Sequence, residues 1–182
     1  MRLRNLSICI LAFTILTVNQ INSQNKNIPV DKVIKTIKQL NFVIITLGIL
    51  SDGLPDNVIN RLAQLQTAPP RSMRIYVTQS KLIAGDIFND FTVLVNEKQC
   101  NAIFVWPSEA MSDPFIIKNI CKMSKLKKIP LIVMQEGWLE NGALIYIKNT
   151  EPVEIVVNEQ VRQVLNFPIN ESPDYIITKQ TQ

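Results

Sequence analysis

Residues 102–134 read AIFVWPSEAMSDPFIIKNICKMSKLKKIPLIVM. Ala102 to Trp106 is a short unbroken apolar run, the pattern of a strand covered on both faces. Ser112, Asp113 and Pro114 supply cap, first-turn acid and proline in the order that opens a helix. Ile116, Ile117, Ile120, Cys121 and Ser124 then recur at helical spacing as its inward stripe. Pro130 to Met134 is a second apolar run. A strand, an amphipathic helix and another strand form a βαβ unit, with parallel strands and a right-handed crossover.

Upstream the same alternation continues. Val30, Val33, Ile34, Ile37 and Leu40 have helical spacing behind Pro29, and Phe42 to Ile49 is a long β-branched apolar run that predicts a central strand. Pro55 opens a helix with Val58, Ile59, Leu62 and Leu65 inward, Met73 to Thr78 reads as a strand, and Asp86 to Lys98 as a helix. Downstream the pattern changes. Ala143 to Ile147 and Pro152 to Val157 are spaced like a hairpin, Asn158 caps a short helix carrying Val161, Val164 and Leu165, and residues 170–182 read as a polar, loosely held tail. The predicted fold is α/β: a three-layer, Rossmann-like (flavodoxin-like), mostly parallel sheet with helices on both faces and an antiparallel C-terminal edge.

Arg2 and Arg4, an uncharged run from Leu6 to Val18 and a polar stretch to Lys26 follow the order of a secretory signal peptide, so residues 1–23 are expected to be removed. The apolar run falls short of the roughly 20 residues that cross a bilayer. Residues 24–169 are then one α/β domain, exported to the periplasm or secreted. Losing Arg2 and Arg4 leaves 17 basic against 15 acidic side chains, too even a balance to imply a nucleic-acid partner. The lysines Lys122, Lys125, Lys127 and Lys128 fit a helix C-terminus facing water. Cys100 and Cys121 remain, and they could pair in an oxidising compartment or serve as two small buried hydrophobes.

Parallel sheets bind ligands at the carboxyl ends of their strands. Those ends are Ser51, Asp52 and Gly53; Thr78, Gln79 and Ser80; Trp106, Pro107, Ser108 and Glu109; and Gln135, Glu136, Gly137 and Trp138. Ser51, Asp52, Ser80, Trp106, Ser108, Glu109, Gln135, Glu136 and Trp138 make up a candidate ligand-binding set, suited to a small polar or zwitterionic solute with an indole to stack on. Capping is the competing role for Asp52, Ser80 and Ser112, covering the sheet end for Trp138, and a place in the core or at its rim for Trp106.

Enzyme chemistry is poorly provided for. The chain contains no histidine, which excludes a Ser-His-Asp relay, and Gly48 with Gly53 is not a phosphate-binding loop. Asp52, Glu109 and Glu136 could share the sheet end, where three acids would hold a hard cation or serve a carboxylate-dependent hydrolase. No cofactor is implied.

The segment AIFVWPSEAMSDPFIIKNICKMSKLKKIPLIVMQEGWLENGALIYI, with VEIVVNEQVRQVLNFPI after it, resembles the closing part of ABC transporter periplasmic substrate-binding proteins of the leucine/isoleucine/valine type. In the last element Asn166 stands where that family has glycine, a tolerable left-handed substitute. The resemblance implies non-covalent solute binding, a transporter as membrane partner, and cleft-facing loops at Trp106, Pro107 and Ser108 and at Gln135, Glu136, Gly137 and Trp138. Those proteins are two-lobed clamshells, and this chain is long enough for one lobe. A homodimer joined through a sheet edge could supply the other. Gly142, Ala143, Ile145, Tyr146, Val156, Val157 and Asn158 are also similar to the C-terminal pattern of YfiR-like periplasmic proteins, which implies a regulator docking on a membrane signalling protein.

Overall fold

The computed structural model describes residues 29–78 and 84–181. The expected signal peptide therefore lies outside the described residues, as do Gln79 and Ser80. A seven-stranded sheet forms the middle layer, with strands in the order β2-β1-β3-β4-β5-β6-β7. They are β1 (Thr46–Leu50), β2 (Arg74–Val77), β3 (Ala102–Val105), β4 (Leu131–Val133), β5 (Ile145–Lys148), β6 (Val153–Asn158) and β7 (Tyr175–Gln180). Strands β1 to β5 are mutually parallel, β6 runs antiparallel to β5, and β7 pairs parallel with β6. The expected fold class is the one observed.

Every residue of β1, β3 and β4 is buried, as expected of strands covered on both sides. On one face Leu47, Ile49, Phe104, Ile132 and Ile145 pack with α1 (Val30–Leu40) and α2 (Asp56–Leu65). On the other, Leu50, Ile103, Val105, Leu131 and Val133 meet α3 (Ala84–Thr92) and α4 (Pro114–Lys127). Gly48 lets this second layer approach closely: a Cβ there would lie 2.6 Å from the Ile103 Cδ1 and 3.1 Å from the Leu94 Cδ1.

Asn158 caps its helix as expected, whereas the cap of α4 is Asp113 and not Ser112. The Asp113 carboxylate accepts from the Phe115 amide at 2.7 Å to start α4. The Asn158 side chain accepts from Val161 at 3.1 Å to start α5 (Glu159–Leu165), which Asn166 closes in the left-handed region at φ 49°. Lys38, on α1, is 1% exposed and donates from Nζ to the carbonyls of Leu65 at 2.5 Å and Ala68 at 2.6 Å, tying α1 to the end of α2. Burial, and secondarily the Arg71 charge, pull its pKa below the ordinary lysine value.

Three expectations need correction. The first strand begins at Thr46 and not at Phe42. The Val43 amide donates to the Asn41 side chain, and the Val43 carbonyl is taken by the Asn101 amide, so residues 42–45 form a bend that leaves Phe42, Val43 and Ile45 exposed. The segment after Asn170 is not a loose tail. Asn170 bonds the Leu40 carbonyl, Tyr175 is buried, and β7 pairs with β6 from Val153 opposite Tyr175 to Asn158 opposite Gln180. Cys100 and Cys121 are not joined; both thiols are free and buried, and burial pushes each up to about 12. Cys100 sits against the Gly48 backbone, whereas the Cys121 thiol points toward the Trp138 carbonyl, 3.9 Å away.

Candidate functional site at the carboxyl edge of the sheet

The first two crossovers leave the sheet in opposite directions: β2 lies on one side of β1 and β3 on the other. The β1–β3 boundary is therefore the switch point of the strand order, and the carboxyl ends of strands at such a point are where open parallel sheets take ligands. The β1–β3 register ends at Leu50 opposite Val105, which sets Ser51, Asp52 and Gly53 beside Trp106, Pro107 and Ser108. Gly53 has φ 135°, a backbone conformation side chains rarely permit, so the chain turns away from the edge immediately after Asp52.

Asp52 is half-buried, and its carboxylate makes no hydrogen bond to a described residue. Pro55 precedes α2 as its N-cap and no side chain caps the helix, so capping does not occupy Asp52. Trp106 is half-buried and meets Phe104 edge-on, with ring centroids 6.1 Å apart, so part of the residue remains accessible at this edge. Glu109 is exposed at the start of a short 3-10 turn, Ala110–Ser112, and gives it no side-chain bond.

Gln135 links the neighbouring loop. Its Nε2 donates to the Ser108 carbonyl at 2.7 Å and to the Ser112 hydroxyl at 2.7 Å, while Ser112 donates to the Ser108 carbonyl at 3.1 Å. The Ser108 hydroxyl in turn accepts from the Met111 amide at 3.2 Å. This network joins the ends of β3 and β4. The Gln135 Oε1 is shielded from solvent and has no partner among the described residues, an acceptor that a bound hydroxyl or amine could satisfy. Ser112, which the sequence presented only as a helix start, belongs to the network; its signal was a second hydroxyl one helical turn after Ser108.

Several expected ligand residues are placed elsewhere. Trp138 is 0% exposed, and its Nε1 donates to the Met111 carbonyl at 3.0 Å, so it is core and not a stacking platform. The loop after β4 turns down across the face covered by α4 and carries the indole inside. Ser51 is also fully buried and donates to the Thr78 carbonyl at 2.6 Å, joining the ends of β1 and β2. Glu136 is exposed on the far side of the edge, near Tyr146 and Lys148. Asp52, Glu109 and Glu136 do not converge; among the described residues no group of three or more candidate ligands could hold a metal ion. Nor is any described helix long and apolar enough to cross a membrane.

No family model matches the chain, and no curated protein matches it. Solved structures do share its fold. A conserved domain protein from Vibrio cholerae superposes with a TM-score of 0.63 at 13% identity, over 85% of this chain and 60% of that one. The ABC domain from Streptococcus pneumonia in complex with L-Trp gives 0.58 at 15% identity, over 78% of this chain and 58% of that one. A ligand-free, open substrate-binding protein with adhesive properties from Clostridium difficile gives 0.54 at 13% identity, over 76% and 57%. The chain thus has a fold found in substrate-binding proteins, and it spans less than two thirds of each of these structures.

Proposed function

We propose that this chain is an exported solute-binding protein, equivalent to one lobe of an ABC transporter substrate-binding protein, that holds a small polar or zwitterionic molecule non-covalently at the β1–β3 switch point. The observation that carries this reading is the unpartnered set at one switch point: the Asp52 carboxylate, the accessible part of Trp106, the Glu109 carboxylate and the neighbouring Gln135 Oε1. A cationic group on the ligand would pair with the acids, and its flat or apolar part would lie on the indole. The fold shared with a domain crystallised in complex with L-Trp is consistent with such a ligand.

Export rests on the N-terminal sequence pattern, and a membrane transporter would be the receiver of the solute. The missing half of the cleft would come from a second copy or another chain. A thermal-shift panel of amino acids, organic acids, sugars and nucleobases tests the reading. A solute at 100 times its Kd should add about 2.7 kcal/mol, a rise of about 5–10 °C for a chain of this size. That rise should vanish in Asp52→Ala and Glu109→Ala. No rise with any solute, or a rise indifferent to both substitutions, would reject it.

A further inference from the structure

A concavity lies toward the opposite, amino end of the sheet, between α4 and the short helix α5, with a volume of about 380 Å³. Lys118, Lys122 and Lys125 line one wall, and Val161, Val164 and Leu165 the other. The lysines are spaced i, i+4, i+7 and so share one helix face. Among the described residues none of them makes an ion pair, and α4 carries no acidic residue to relieve their mutual repulsion. The helix dipole accounts for cations in the last turn only, and Lys118 sits in the first half of α4. The facing wall is partly open: Val161 and Leu165 are half-buried where they pack against the core, and Val164 is 67% exposed. Glu140 is the single carboxylate in the lining, set against three lysines.

We propose that this groove binds a small amphipathic monoanion, a carboxylate head on an apolar body, with the head held by Lys118, Lys122 and Lys125 and the body laid on Val161, Val164 and Leu165. Charge complementarity selects the head, and the partly open apolar wall selects the body. The dimensions fall within the range of small-molecule sites. This site is separate from the one at the carboxyl edge, and it does not depend on that reading.

Calorimetric titration of the purified protein with sodium decanoate tests it. The expected result is saturable binding that decyltrimethylammonium, with the same chain and opposite charge, does not reproduce. The exposed double substitution Lys118→Glu with Lys122→Glu should weaken decanoate by at least about tenfold. Val164→Ser should weaken it as well, and both variants should keep the unfolding midpoint of the parent. Asp52→Ala should leave decanoate binding unchanged. Absence of binding up to about 1 mM decanoate, equal binding of the cationic probe, unchanged affinity in the lysine variant, or loss of affinity in Asp52→Ala would each overturn the proposal.

Discussion

Replacing Trp138 with phenylalanine should destabilise the fold without touching the β1–β3 switch point. Trp138 is 0% exposed, and its Nε1 donates at 3.0 Å to the carbonyl of Met111, itself 0% exposed. Its own carbonyl accepts from the Ala143 amide at 3.0 Å and the Asn141 amide at 3.2 Å, so the residue pins the loop between β4 and β5 to the face covered by α4. Phenylalanine keeps most of the ring but leaves the Met111 carbonyl without a donor in dry surroundings, which costs about 1–3 kcal/mol. The smaller ring also leaves a void of roughly 40 Å³, worth about 1 kcal/mol at the usual cost of residual cavity volume. Together the loss should be about 2–4 kcal/mol. Urea unfolding followed by circular dichroism would show this as a midpoint lowered by about 1–2 M with the slope unchanged. A loss below about 0.5 kcal/mol would refute the placement of Trp138 in the core. Trp106 becomes the single tryptophan of this variant, and its emission should report a half-exposed indole.

Other consequences follow from the packing. Cys100 and Cys121 should resist a thiol reagent in the native state at pH 8 and react on unfolding; rapid native labelling, or failure to label after unfolding without reductant, would contradict two buried free thiols. Because their pKa is raised from 9.0 to about 12, the unfolded chain releases protons over that window that the folded chain keeps, so stability should fall as pH rises from 9 toward 12. That loss should shrink in Cys121→Ala. Gly48→Ala should cost about 1–3 kcal/mol in the same urea assay, since Ile103 and Leu94 must shift to admit a methyl group; a neutral result would mean the second layer packs more loosely than described. Lys38→Met keeps the length of the side chain but abandons the Leu65 and Ala68 carbonyls, and should cost about 2–4 kcal/mol, against near-neutrality if the ammonium contributes nothing.

Much of this architecture was legible in local pattern, because the signals involved are local. The buried strands β1, β3 and β4 are unbroken apolar runs, and Asn158 caps a helix through a bond to an amide three residues away. What escaped depends on partners distant in sequence. Phe42 to Ile49 reads as one strand, yet the side chain of Asn101 fixes the bend at its start, and nothing within the run foretells this. Residues 175–180 alternate too weakly to announce a strand, and only β6 supplies their pairing. The same distinction divides the site. Asp52, Trp106 and Glu109 reach the carboxyl edge simply by following β1 and β3, whereas the bridge from Gln135 to Ser108 and Ser112 spans residues 23 and 27 positions apart. Trp138 was misplaced because a residue after a strand usually stays at the edge, while this loop runs back across the sheet face.

The most direct test of the central claim is hydrogen–deuterium exchange, with and without a solute that raises the melting temperature. Slowed exchange confined to residues 51–54 and 106–112, on either side of the β1–β3 switch point, is the result predicted. Protection limited to the α4–α5 groove, or spread evenly over the sheet with no focus at those two loops, would contradict recognition at the carboxyl edge.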